Sequence, residues 1–185
     1  MSVSRELQFL PQILERYTNR SFVRMGKMSL EHMTLMLDAA CRAGSSYNAQ
    51  PWRFWYAQHS SSLWEQLFPL LVKPNAAWAG NAEWLVLVGA ATKMTLRDEV
   101  VDNSSAHFDV GLACQNLVLQ ATFMGFGSAI IGGFNRAKAS ELIADADIHP
   151  VVMIALGDCS EHRPAEPSMR WPREEVSAHS FEKES

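Results

Sequence analysis

Cysteine is scarce in this chain: 185 residues hold three, Cys41, Cys114 and Cys159. They are odd in number and far apart, so neither a disulfide framework nor a zinc knuckle follows. They read as buried or free thiols of a reducing compartment. No apolar run approaches the length that spans a bilayer. The stretch Met1 to Leu10 carries Arg5 and Glu6 and lacks the long apolar segment of a signal peptide. The expectation is a soluble, cytoplasmic protein. A basic surplus is also missing: net charge is -4 and the pI near 5.8, which disfavours a phosphodiester partner. The six histidines form no HExxH and no close pair, so no metal site is expected. There is no GxSxG elbow, no GxxxxGK[ST] loop and no GxGxxG after a strand. Internal repeats and low-complexity blocks are absent. Such a chain has no self-sufficient catalytic set; if it is an enzyme, a cofactor carries the chemistry.

What is present is apolar: 48% of residues are hydrophobic and 19% charged, which excludes disorder as the overall state. The length suits one domain with a substantial core, or one subunit whose core a partner completes. Six tryptophans and nine methionines point to a Met- and Trp-rich core or to a large aromatic pocket or interface. Leu7, Leu10, Ile13 and Leu14 recur at helical spacing and predict a helix from Ser4 to Glu15 that delivers the chain to Arg16. Ser29 caps a second helix running to about Arg42, although His32 stands where a full capping box has Glu or Gln. Phe54 to Ala57, Trp84 to Ala90, Ser128 to Ile131 and Val151 to Leu156 read as buried strands. A short helix holds Leu63, Trp64 and Leu67, and Lys73-Pro74-Asn75 reads as a break. Thr92 to Asn103 is polar and predicts a loop or lid. The longest helix runs from Asn103 or Ser104 to Met124 and is expected to be largely buried; a modest one spans Ala137 to Ala144. The class is α+β, an α/β sandwich with the longest helix across the sheet.

Three polar stretches stand out. Ser45-Ser46-Tyr47-Asn48-Ala49-Gln50-Pro51-Trp52 groups hydroxyls and carboxamides before a strand, with Pro51 biasing Gln50 towards an extended conformation. It is a polar loop between helix and strand, or a ligand loop. In Arg16-Tyr17-Thr18-Asn19-Arg20, an extended backbone would turn residues 16, 18 and 20 to one side, converging two guanidiniums and a hydroxyl. That set suits a phosphate monoester; the alternative is surface arginines at a helix end. Ser168-Met169-Arg170-Trp171-Pro172 offers a third arginine, or is a solvated tail.

These residues carry a resemblance. Arg16-x-Thr18-x-Arg20-x-Phe22 is similar to the R-x-S-x-R-x-F signature of the nitroreductase family of FMN flavoproteins. Ser45 to Trp52 resembles that family's P-S-S-x-N-x-Q-P-W, and Asn75-Ala76-Ala77-Trp78-Ala79 the N-x-x-W-A of its shorter members. Asp109 to Leu117 resembles D-x-G-x-A-x-Q-N-L; Gly125-Phe126-Gly127, Gly132-Gly133-Phe134 and Arg170-x-Pro172-x-Glu174-Glu175-Val176 follow in family order. The resemblance implies one FMN-binding domain over residues 1–185 with a C-terminal extension, a mostly antiparallel central sheet flanked by helices, and a homodimer with FMN at its interface. Arg16, Thr18 and Arg20 would hold the phosphate and ribityl chain, with Arg170 closing on the phosphate. Ser45, Ser46 and Asn48 would reach a flavin bound mainly by the other subunit. Asn75 would bond the pyrimidine edge, and Gly132 and Gly133 would let the backbone pass close to the isoalloxazine. No side chain is assigned as catalytic.

The implied activity is hydride transfer from NAD(P)H to a small-molecule acceptor, a nitroaromatic or quinone, by a ping-pong cycle. The departures are Gly44 for the usual proline, Thr18 for serine, and Ser168 where many members have a basic residue. A flavin dehydrogenase or oxidase of another substrate, or a non-catalytic FMN-binding protein, stays open beside this reading.

Overall fold

The computed structural model describes residues 9–160 and 169–177. Pro11 opens α1 (Pro11–Glu15), where its missing N–H costs nothing. The helix expected from Ser4 therefore starts later within the described chain; residues 4–8 lie outside it. The second helix, α2 (Leu30–Cys41), has the reciprocal cap that its sequence seemed to lack. Ser29 Oγ accepts the His32 N–H, and His32 Nδ1 accepts the Ser29 N–H at 3.0 Å. An imidazole nitrogen thus does the work of a Glu or Gln carboxyl or amide oxygen.

After a 3₁₀ turn at Ser46–Asn48 come β1 (Trp52–Gln58), α3 (Trp64–Leu67) and a second 3₁₀ turn at Phe68–Leu70. Lys73-Pro74-Asn75 is not a break: it opens α4 (Lys73–Ala79), with Pro74 in the first turn, where no intrahelical N–H bond is lost. β2 (Trp84–Ala91) leads into β3 (Lys93–Leu96) and β4 (Glu99–Asp102). The expected loop from Thr92 to Asn103 is thus a two-stranded hairpin. Arg97 and Asp98 turn it with φ of 51° and 65°, the left-handed pair that matches strand twist. Then follow α5 (Ala106–Phe123), β5 (Gly127–Ile131), α6 (Arg136–Ile143), β6 (Ile148–Gly157) and α7 (Arg173–Val176). Gly125, at φ 79°, follows the end of α5.

The main sheet has the order β1-β2-β6-β5, every pairing antiparallel. The period of two along β2 divides the core. Trp84, Val86 and Val88 meet Met33, Met36 and Ala40 of α2 and Val110, Ala113 and Leu117 of α5. Leu85 and Leu87 meet Trp64 and Leu67 of α3, Ala79 of α4 and Ala139 of α6. Helices therefore cover both faces, which explains the uninterrupted apolar run of β2. Most of the methionine and tryptophan surplus is core: Met28, Met33, Met36 and Met153 are fully buried, and Trp52, Trp64 and Trp84 nearly so.

α5 is less buried than its composition suggested. Phe108 and Phe123 are 70% and 69% exposed, and Leu112 is 39% exposed. Between α1, α2 and α5 lies a groove of about 670 Å³ lined by Leu10, Ile13, Leu35, Leu119 and Phe123 among others. Among the described residues no helix is long and apolar enough to cross a membrane.

At the β5 edge the packing leaves no room for one methyl group. A Cβ on Gly127 would overlap Cys159 Sγ and come within 3.1 Å of Asn19 Nδ2. Gly127→Ala is expected to destabilise the protein by about 1–3 kcal/mol in a urea melt. Combining it with Cys159→Ala should recover part of the loss; a double variant no better than the single one would refute the steric cause.

Candidate functional site

The extended run after α1 lies against the β5 edge. Thr18 bridges Ser128 in parallel, and the Asn19 N–H donates to the Ser128 carbonyl at 2.9 Å. Asn19 is 1% exposed; its Nδ2 donates to Tyr17 Oη at 2.8 Å and its Oδ1 accepts the Ser21 N–H at 2.7 Å. With Asn19 and Phe22 turned inward, Thr18 and Arg20 face solvent and Arg16 is half-buried. The alternation of an extended backbone therefore holds over residues 18–20; Arg16 and Tyr17 are equally half-buried, and Phe22 turns inward although it shares the parity of Arg20. Neither Arg16 nor Arg20 pairs with a carboxylate among the described residues.

α4 ties this run to the glycine pair after β5. The Arg20 guanidinium lies over the Trp78 ring, 5.8 Å from its centroid, and Trp78 stacks on Phe22 at 6.1 Å. One turn earlier on α4, Asn75 Nδ2 donates to the Gly133 carbonyl at 3.0 Å. The Val72 N–H donates to the same carbonyl at 3.3 Å. A Cβ on Gly133 would lie 2.7 Å from Asn75 Nδ2, so glycine is required there for packing. A Cβ on Gly132 would meet nothing, and that residue opens to solvent. Among the described residues, the N–H groups of Gly132 and Gly133 have no acceptor. Arg20, Asn75 and the two glycines thus share one side of the molecule, linked through α4.

The Ser45–Gln50 loop sits elsewhere. Ser45 and Ser46 are half-buried and Asn48 is exposed. Tyr47, Asn48 and Gln50 have φ of 51°, 55° and 48°. The extended conformation expected of Gln50 is not found: its N–H is drawn back to Ser45 Oγ at 3.1 Å, and Arg53 Nη1 donates to its carbonyl at 3.0 Å. Three left-handed non-glycine residues in four positions are strained, of order 1 kcal/mol or more each. One clamp comes from a distant part of the chain. Asp109, 3% exposed in the first turn of α5, accepts the Ser46 N–H on Oδ2 at 3.0 Å. Sequence reasoning flagged Asp109 only as part of a motif and missed this tie, since it joins residues 63 apart.

The loop precedes β1, while Thr18 flanks β5 at the opposite edge of the four-stranded sheet. Three interstrand spacings separate these edges, about 14 Å. The structure does not bring Ser45, Ser46 and Asn48 together with Arg16, Thr18 and Arg20 within one chain. Arg170 is exposed on the segment before α7, beside a small cavity lined by Met169, Trp171, Pro172 and Glu175. Ser168 lies outside the described residues.

A further cavity of about 260 Å³ lies beneath the Tyr17–Asn19 run, bordered by Glu15, Phe126, Gly127, Ser128 and Cys159. Burial pushes the Cys159 thiol up to about 12, and Cys114 likewise to about 12. Neither is a thiolate nucleophile at neutral pH.

The nitroreductase family model matches residues 13–158, most of the chain. The chain belongs to the nitroreductase family. DrgA of Synechocystis is 28% identical over 179 residues, covering 82% of this chain and 84% of its own. YodC of Bacillus subtilis, whose name proposes an NAD(P)H nitroreductase, is 27% identical, covering 81% and 88%. Among solved structures, an oxidoreductase containing FMN superposes with a TM-score of 0.84 at 30% identity, covering 96% of each chain. A protein of Exiguobacterium sibiricum, solved in complex with FMN, shares the fold at TM-score 0.78 and 21% identity, covering 97% of this chain and all of its own. The nitroreductase fold, expected as a mostly antiparallel sheet flanked by helices, is what this chain has.

Proposed function

We propose that this nitroreductase-family chain is an FMN-dependent oxidoreductase that passes hydride from NAD(P)H to a small organic acceptor such as a nitroaromatic or quinone. The observation that carries the reading is the α4-linked grouping of Arg20, Asn75 and the Gly132–Gly133 backbone, which is open at Gly132. Its donors fit FMN. Arg16, Arg20 and Thr18 offer charge and a hydroxyl to a phosphate that needs about two to three charge-assisted partners, with Arg170 as the third arginine. Asn75, with groups left over from its bond to the Gly133 carbonyl, would bond the pyrimidine edge of the ring system. The N–H groups of Gly132 and Gly133, which have no acceptor among the described residues, and the open side of Gly132 would accommodate a flat polar ring at close approach.

Bound FMN supplies hydride acceptance and donation at N5, so no side-chain acid or base is assigned. The residues bind, orient and leave one cleft that reductant and acceptor enter in turn. We assign the whole chain to one FMN-binding domain, with the segment after residue 158 as its extension.

We further propose a homodimer in which the Ser45–Asn48 loop completes the partner's site. The loop's separation from Arg16–Arg20 supports this, as does the bare apolar face of Phe108, Leu112 and Phe123 with its adjoining groove. The three free cysteines suit a reducing, cytoplasmic location.

The test is the visible spectrum of the purified protein, followed by release of the chromophore. Flavin bands with FMN at about one per subunit, bleached anaerobically by NADH or NADPH and restored by a quinone, are expected. A colourless protein that takes up no added FMN refutes the cofactor. Bound FMN that stays oxidised under excess reductant points instead to a binding protein without turnover. Rapid bleaching by another substrate, with no nicotinamide present, points to a dehydrogenase or oxidase.

A further inference from the structure

The cleft between the start of α5, the first turns of α6 and the start of β6 is used by nothing described so far. It has a volume of about 540 Å³ and is lined by His107, Arg136, Ala137, Ser140, His149 and the residues following His149. Three elements each send it a side chain with N–H donors suited to an anion. The imidazoles of His107 and His149 stand with centroids 5.8 Å apart. Arg136 is fixed: Nη1 donates to the Gly132 carbonyl at 3.2 Å and Nη2 to the Val151 carbonyl at 3.3 Å. Its guanidinium carbon lies 4.7 Å from the Phe134 ring centroid. Two of its five N–H groups are used, leaving three as donors. Ser140, one turn further along α6, shares the Arg136 face and adds a hydroxyl.

The charge pattern is selective. The chain carries a net charge of -4, yet no Asp or Glu lines this cleft. The acidic residues closest in sequence to His149 are Asp145 and Asp147, neither of which lines the cleft. Asp145 Oδ1 accepts the Asp147 N–H at 2.9 Å, and the Asp147 backbone carbonyl accepts from Thr92. His107 is the second residue of the 18-residue α5, so the unpaired N–H groups of that helix end add partial positive charge nearby. A small carboxylate would leave most of these donors unused. A phosphate monoester, with three acceptor oxygens and a charge of nearly -2, matches a guanidinium, two imidazoles and a hydroxyl.

We infer that this cleft is a subsite for a phosphate monoester borne by a molecule that enters the redox cleft. This rests on the flavin reading above, because the link between the two places is the Arg136 bond to the carbonyl of Gly132. A ligand reaching the ring at Gly132 and Gly133 extends from there over Arg136. The 2′-phosphate of NADPH is one source of this chemistry, and a phosphorylated acceptor is the other.

The test uses the holoprotein. The Cε1–H resonances of His107 and His149, identified by their loss in His107→Gln and His149→Gln, are followed by proton NMR. The titrants are 2′-AMP, phenyl phosphate and, as the uncharged control, adenosine. Saturable shifts of both resonances with a phosphate ester, and none with adenosine, are expected. In parallel, His149→Ala should raise the KM for NADPH roughly tenfold and leave turnover with NADH unchanged, if the phosphate is the reductant's. Shifts with phenyl phosphate but not 2′-AMP keep the subsite and place it on a phosphorylated acceptor. Resonances that move with neither ester overturn the proposal. If the protein carries no flavin, the NMR titration still reads the phosphate subsite, so failure of one is not failure of the other.

Discussion

Arg20→Ala should weaken FMN binding by roughly tenfold to a hundredfold while leaving the fold almost untouched. The side chain is exposed, makes no ion pair among the described residues, and lies over the Trp78 ring. An exposed cation–π contact is worth about 0.5–1 kcal/mol. For a chain of this length that is a fall in Tm of about 1–4 °C. A charge-assisted bond to phosphate is worth about 1.5–3 kcal/mol, and each 1.4 kcal/mol is tenfold in affinity. The two effects separate if both are measured on the apoprotein: Tm by calorimetry, affinity by quenching of FMN fluorescence on titration. Holoprotein melts would mix them, since lost ligand also lowers Tm. Undiminished FMN affinity in Arg20→Ala would remove Arg20 from the phosphate site. A fall in apoprotein Tm of ten degrees or more would make it a structural residue instead.

Why the extended run around Arg20 could be read from sequence and the Asp109 tie could not is a matter of range. The run from Arg16 to Phe22 declares itself locally: alternate residues, an extended backbone and no helical spacing. The β5 edge then only has to receive it. β2 was equally legible, because burial on both faces leaves an unbroken apolar run. The errors have local causes too. Lys73-Pro74-Asn75 reads as a break, yet Pro74 stands in the first turn of a helix, which needs no N–H from it. The β3–β4 hairpin was hidden because its strands are polar and mostly exposed, so no apolar alternation marked them. His32 was passed over as a cap because the rule names carboxyl and amide side chains, while the bond asks only for an acceptor at that position. Long-range ties leave no such trace. The bond from Asp109 to Ser46 and the close fit of Gly133 against Asn75 exist only once the sheet has assembled. The same holds for the separation of the two polar stretches. Composition did not show that the serine-asparagine loop and the arginine run flank opposite sheet edges; strand order does.

That separation makes the largest prediction, an all-or-none one. Suppose one protein carries Arg20→Ala, and another carries Ser45→Ala, Ser46→Ala and Asn48→Ala together. As homodimers, each has a defect in both sites, whichever subunit supplies the parts. FMN is then expected to be lost from both at a concentration between the wild-type and variant dissociation constants. In a hybrid dimer, isolated by two different affinity tags after co-expression, the arrangement of the site decides the outcome. If the loop serves the partner's flavin, one site combines the intact arginines of the triple variant with the intact loop of the Arg20→Ala subunit, and the other site takes both defects. The hybrid then binds one FMN per dimer, with half the wild-type turnover. If each subunit builds its own site, every site in the hybrid is defective and the dimer stays colourless. Ser45 also holds the loop through the Gln50 N–H, so the triple variant removes both contact groups and part of the loop's geometry. Its own fold is guarded by the Asp109 bond, which reaches the Ser46 backbone and survives the side-chain changes. Half occupancy in the hybrid therefore requires both a dimer and a shared site. A hybrid dimer that forms and stays colourless would refute the shared site while leaving the flavin and the fold as they are.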